Sequence, residues 1–155
     1  MSNKDDLQNE LQQLSANIQR FDEYGKQLQV EIETLQSFLI DLTRSKQTLE
    51  GLKEEKKPEE TLLQLGSGVM IRAKPIESNK VYLNVGAGVI VTKTLVEAIE
   101  DITNRIDAAE ERRLGLADQL NQIINQINIL EQRAQAIYRQ LQGPSKPQYD
   151  PNLVS

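Results

Sequence analysis

Between residues 63 and 92 one short phrase is written twice, and no other feature restricts the fold as strongly. Leu63-Gln64-Leu65-Gly66-Ser67-Gly68-Val69-Met70-Ile71-Arg72 recurs as Leu83-Asn84-Val85-Gly86-Ala87-Gly88-Val89-Ile90-Val91-Thr92, with every apolar position and both glycines retained. Aliphatic and β-branched residues alternate on either side of a Gly-x-Gly turn that tolerates positive φ, so each copy reads as strand, turn, strand. Successive side chains on a strand point to opposite faces of the sheet. The odd positions Leu63, Leu65, Val69, Ile71, Ala73, Val81, Leu83, Val85, Val89 and Val91 are all apolar. The even positions Leu62, Gln64, Met70, Arg72, Tyr82, Asn84, Ile90 and Thr92 are mixed. Two hairpins with one wholly apolar face need something to cover it.

The flanking segments are helical by their periodicity. Before the hairpins, one seam series is Leu7, Leu14, Phe21, Leu28, Leu35, Leu42 and Leu49, and the alternate series is Leu11, Ile18, Gly25, Ile32, Leu39, Lys46 and Lys53. After them run Leu95, Ile102, Ala109, Leu116, Ile123, Leu130 and Ile137, interleaved with Ile99, Ile106, Arg113, Leu120, Ile127, Ala134 and Leu141. In this second helix only Arg113 breaks the apolar series. Repeats sustained over this many heptads keep one seam facing a partner helix. Asn3 with Asp6 is expected to cap the first helix, and Glu54-Glu55-Lys56-Lys57-Pro58 to close it, because the residue before proline leaves the helical region. The polar link 74–80, with Pro75, separates the two hairpins. Thr94 with Glu97 is a capping box for the second helix, and Gly143-Pro144 ends it. The expected organisation is a helix over 1–57, tandem hairpins over 58–93, a second helix over 94–142 and a flexible tail over 143–155.

The two seams, 7–53 and 95–141, are equal in length and joined by a short connector. They are expected to fold back on each other as an antiparallel coiled coil; two separate intermolecular coils are the alternative. On this reading neither helix has a second apolar stripe to spare, and nothing in the chain covers the odd face of the sheet. Roughly 15–30 kcal/mol of burial is then at stake, as an upper bound. Monomers rarely expose apolar patches of that size. The hairpins are therefore expected to meet other subunits through Leu63, Leu65, Val69, Ile71, Val81, Leu83, Val85, Val89 and Val91, closing their edges into an oligomeric β-barrel platform. At the other end of the coil, Leu7, Leu11, Leu14, Leu130, Ile137, Tyr138 and Leu141 come together. On spacing alone these are ordinary terminal heptads or a weak, adaptable surface for exposed apolar segments of other proteins.

Composition removes most other functions. The chain has no histidine and no cysteine, so Ser/His/Asp and Cys/His catalytic sets are impossible and no thiol chemistry is available. Neither Gly-x-Gly pair opens a helix in a βαβ unit, which excludes a nucleotide loop. The acidic run Glu54, Glu55, Glu59, Glu60 reads as a solvated loop rather than a metal site. A net charge of −5 argues against nucleic acid or an anionic membrane as partner. The start of the chain carries no signal-peptide pattern, and no apolar run approaches the ~20 residues of a membrane span. A cytoplasmic protein without enzymatic activity, cofactor or metal is expected. Gly25 is expected to leave a gap opposite Ile123, and Lys46, Lys53 and Arg113 to snorkel out of the seam.

The arrangement resembles the α-type subunit of prefoldin, in its archaeal form. The resemblance rests on the long helix, on the tandem hairpins carrying Leu65-Gly66-Ser67-Gly68-Val69 and Asn84-Val85-Gly86-Ala87-Gly88-Val89, on the Val91-Thr92-Lys93-Thr94 entry and on the second long helix. It covers about residues 7–141 and is most specific over 62–98. It implies an α+β fold, a long antiparallel two-helix coiled coil joined by two tandem hairpins. It also implies an ATP-independent holdase chaperone, a hexamer of two α-type and four β-type subunits. Six coiled coils would hang from a double barrel, hold unfolded polypeptides at their tips and deliver them to a group II chaperonin. The tip residues would be Leu7, Leu11, Leu14, Leu130, Ile137, Tyr138 and Leu141. The rival class is a structural coiled-coil scaffold or tether with inert tips.

Overall fold

The computed structural model describes residues 2–54, 60–74, 77 and 79–143. Helix α1 (Ser2–Glu54) is followed by strands β1 (Thr61–Gly66), β2 (Val69–Ala73), β3 (Lys80–Gly86) and β4 (Val89–Thr94), and by helix α2 (Leu95–Gln142). These are the two long helices and two tandem antiparallel hairpins that the periodicities call for. The chain divides into two compact units, one made of residues 1–32 and 115–155 and the other of residues 33–114. Helix α1 already includes Asn3, so this residue lies in the first turn and is not the cap. The closing residues 55–59, the link residues Pro75, Ile76 and Ser78, and the tail from Pro144 onward lie outside the described residues.

Each hairpin is a separate two-stranded sheet, β1 with β2 and β3 with β4. In the first, Leu63 faces Ile71 and Leu62 faces Arg72; in the second, Leu83 faces Val91 and Tyr82 faces Thr92. The turn residues Ser67 and Gly68 have φ of 48° and 79°, and Ala87 and Gly88 have 51° and 75°. Two consecutive positive values are the mark of a type I′ turn, whose twist matches that of the strands it joins. A bulge between Gln64 and Gly66 in one copy, and between Asn84 and Gly86 in the other, shifts the register at the tip. Strict alternation therefore stops at Leu65 and Val85. The Asn84 carboxamide oxygen accepts the Gly86 amide at 2.9 Å and satisfies the backbone at the second bulge.

In the unit of residues 33–114 the core is built from Leu42 of α1, Leu83 of β3 and Ala98 and Ile102 of α2. Leu49, Val81, Val91 and Ile106 pack against it. This corrects the expectation that the chain cannot cover its own sheet: Leu83 is only 9% exposed, and Val81 and Val91 are half-buried. The residue that makes this possible is Ala98, fully buried and outside both seam series, whose small side chain lets β3 approach the helix. The junction of β4 and α2 is held by the capping box. The Thr94 amide donates to Glu97 Oε2 at 3.0 Å, and the Glu97 amide donates to Thr94 Oγ1 at 3.3 Å. The first amide of α2, on Leu95, donates to the Asn79 carbonyl at 3.2 Å, which ties the start of β3 to the start of α2. Asp101 adds an ionic link, with Oδ1 3.7 Å from Lys93 Nζ and Oδ2 2.9 Å from Arg105 Nη2. The Arg105 contact is close enough for an ion pair yet poorly aligned for a hydrogen bond.

In the unit of residues 1–32 and 115–155 the helices run antiparallel. Gly25 faces Leu120 and Ile123, and Glu10 faces Arg133. Leu28, Leu116 and Ile137 are buried in this seam. Helix α1 continues unbroken through Gly25. A Cβ built there would stand 3.6 Å from both Ile123 Cγ2 and Leu120 Cδ1, ordinary van der Waals distance. Gly25→Ala is therefore expected to stabilise the protein by about 0.5–1 kcal/mol through lower chain entropy in the unfolded state. Thermal unfolding followed by circular dichroism checks this; a lower melting temperature would mean that Leu120 and Ile123 cannot accept the methyl group.

Candidate functional site

Two surfaces stand out, and the first is the free hairpin. Leu63, Leu65, Val69 and Ile71 of β1 and β2 are all exposed, with Leu65 at 63%. In the second hairpin Val85 and Val89, next to the turn, are exposed as well, in contrast to Leu83, Val81 and Val91 behind them. Of the nine odd-face residues expected to meet other subunits, six are thus open and three are packed on the protein's own helices. The opposite face is more apolar in effect than its mixed sequence indicates, because Leu62, Met70, Tyr82 and Ile90 are all exposed. The signal was present in the even positions, where Leu62 and Met70, like Tyr82 and Ile90, fall on neighbouring pairs of the same hairpin face.

The second surface is the helix tip in the unit of residues 1–32 and 115–155. Leu7, Leu11, Leu14, Leu130 and Leu141 are half-buried there, and Tyr138 is 56% exposed. Ile137 behaves differently from the other expected tip residues. It is 0% exposed, so it fills the seam and offers no surface. Ile137 therefore behaves as an ordinary terminal heptad residue and not as part of an adaptable surface, because it lies inside the helix pair while Tyr138, one residue on, is turned by about 100° around the helix axis. Beside Tyr138 a cleft of about 340 Å³ is lined by Leu11, Ala134, Gln135, Tyr138 and Arg139.

An ion pair missed in the sequence clasps the two helices at this end. Arg133 Nε donates to Glu10 Oε1 at 2.8 Å and Nη2 donates to Glu10 Oε2 at 3.2 Å, a two-pronged contact of guanidinium with carboxylate. The hydrogen bond, with the carboxylate charge behind it, raises the Arg133 pKa above its ordinary value. Only an antiparallel register anchored at Gly25 and Ile123 would have brought these distant residues together on paper. The charges within the seams act differently. Arg113 Nε donates to Glu110 Oε2 on its own helix at 3.0 Å, and that bond is the main cause lowering the Glu110 pKa. Lys46 Nζ lies 4.0 Å from Glu50 Oε1, also on its own helix. Both side chains leave the seam by bending toward a neighbour one turn away.

Among the described residues no group of three or more His, Cys, Asp or Glu could hold a metal ion, and no helix is long and apolar enough to cross a membrane. The surfaces offer apolar contact bordered by charge.

Known proteins share this architecture. The prefoldin subunit family model matches residues 21–140. The prefoldin subunit alpha of Methanoregula boonei is 34% identical over 141 residues, covering 89% of this chain and 90% of that protein. That of Methanopyrus kandleri is 32% identical over 111 residues, covering 72% and 71%. The fold is similar to that of filamentous prefoldin from Methanocaldococcus jannaschii, with a TM-score of 0.65, 23% identity and coverage of 77% of this chain and 98% of that one. With paired hairpins between two long helices, and with relatives of this kind over most of its length, the chain belongs to the prefoldin family, among its archaeal α-type subunits.

Proposed function

We propose that this chain is a subunit of an ATP-independent holdase that captures unfolded polypeptides at its helix tips and delivers them to a group II chaperonin. Family membership supports the coarser statement, a chaperone subunit that assembles with other prefoldin subunits. The finer reading places two copies with four β-type subunits in a cytoplasmic hexamer, joined through a barrel of hairpins. Its main support at the tip is the exposed Tyr138 beside the half-buried Leu7, Leu11, Leu14, Leu130 and Leu141. Each such contact is weak. Several tips acting on one client raise the overall affinity by effective concentration, with no new contact required. No step calls for a catalytic group or a cofactor.

Serine at Leu7, Leu11, Tyr138 and Leu141 together is expected to abolish suppression of aggregation of a denatured protein in the absence of ATP. The mass of the assembly should stay unchanged. Protection at the wild-type level would discard the tip as the capture site. The rival reading, a scaffold with inert tips, draws on the complete burial of Ile137, which is what an ordinary sealed coil end requires. Under that reading the wild-type assembly itself gives no protection.

A further inference from the structure

We propose that the tip cleft selects apolar segments flanked by acidic residues. This rests on the capture role of the tip argued above and adds a charge preference to it. Leu11, Ala134 and Tyr138 supply the apolar lining, while Arg139 is the one formally charged residue among those lining the cleft. Arg139 is exposed and has no ion-pair partner among the described residues. Glu10, across the helix pair, is already held on both oxygens by Arg133, so it does not compete for Arg139. An open cleft of about 340 Å³ has room for apolar side chains of an extended segment. An apolar side chain entering over Leu11 brings its sequence neighbours beside Arg139. A carboxylate there gains a partner, and an ammonium meets a like charge. The preference is electrostatic and exposed, so it is small at each tip and weakens with added salt.

The test uses the assembled protein and two labelled peptides that share the same leucine and phenylalanine residues, one flanked by glutamate and the other by lysine. Fluorescence anisotropy at low salt is expected to give about two- to fivefold tighter binding of the glutamate peptide, the range of an exposed ion pair. Arg139→Gln should bring the ratio to about one without weakening the lysine peptide, and Leu11→Ser should weaken both. Equal affinities in the wild type, or a preference that survives in Arg139→Gln, overturn the charge selection. If both peptides bind equally and both weaken in Leu11→Ser, the tip still captures and only the charge preference falls. If neither binds, or Leu11→Ser changes nothing, the capture reading falls with it.

Discussion

Serine at Leu63, Val69 and Ile71 together is expected to collapse the assembly to species of lower mass while both helices stay folded. These three side chains are exposed on the free hairpin, so their removal takes nothing from the core formed by Leu42, Leu83, Ala98 and Ile102. If these side chains are buried against neighbouring subunits, each would contribute about 1.5–3 kcal/mol, an upper bound of roughly 5–9 kcal/mol per subunit. Because association depends on concentration, a loss of that size moves a micromolar solution from assembled to dissociated. Native mass spectrometry reads the mass and far-ultraviolet circular dichroism reads the helices. An assembly of unchanged mass would mean that this hairpin does not carry the subunit contacts. Leu83 is the informative contrast: it is packed within its own chain, so Leu83→Ala should lower the unfolding temperature more than the assembled mass.

Ile137→Ala is expected to destabilise the helix tip by about 2–5 kcal/mol, the cost of emptying a buried isoleucine site. Among the described residues Ile137 is the one large side chain with no exposure at all, so little relaxation is available to refill the space. Chemical denaturation of the assembly measures the loss. Hydrogen exchange should locate it, with faster exchange around residues 7–14 and 130–141. A loss below about 1 kcal/mol would show that the seam closes around the smaller side chain. The companion substitution Tyr138→Ala removes an exposed ring and should leave stability nearly unchanged. Adjacent residues thus separate two jobs, one holding the helices together and one facing outward.

Much of this was legible in the residue order. The seam series stated both helices, because a repeat near 3.5 residues has one geometric solution in an α-helix. The doubled Gly-x-Gly phrase stated two hairpins, since Gly68 and Gly88 supply positive φ at low cost. Thr94 and Glu97 stated the start of α2, and each side chain caps the other's amide as the spacing requires. Gly25 was placed opposite Ile123 from the register alone, and the two are neighbours. The bulges at Gln64/Gly66 and Asn84/Gly86 leave only an indirect trace: a two-residue turn pairs odd with even positions, so an odd apolar face shared by both strands needs a one-residue shift, but no single residue type marks it. The Glu10–Arg133 clasp was not legible, because it joins residues far apart in the chain.

The elements, their order and their apolar faces follow from local periodicity and turn chemistry. Which of those faces stay open depends on packing between distant segments. Identical patterns in the two hairpins have different fates: Leu83 is buried against Leu42, Ala98 and Ile102, while its repeat partner Leu63 remains exposed. At the tip the neighbours Ile137 and Tyr138 part in the same way. The physical reason is common to both cases. Apolar character states that a side chain gains by leaving water, and only the packing of distant segments states whether this chain provides the place.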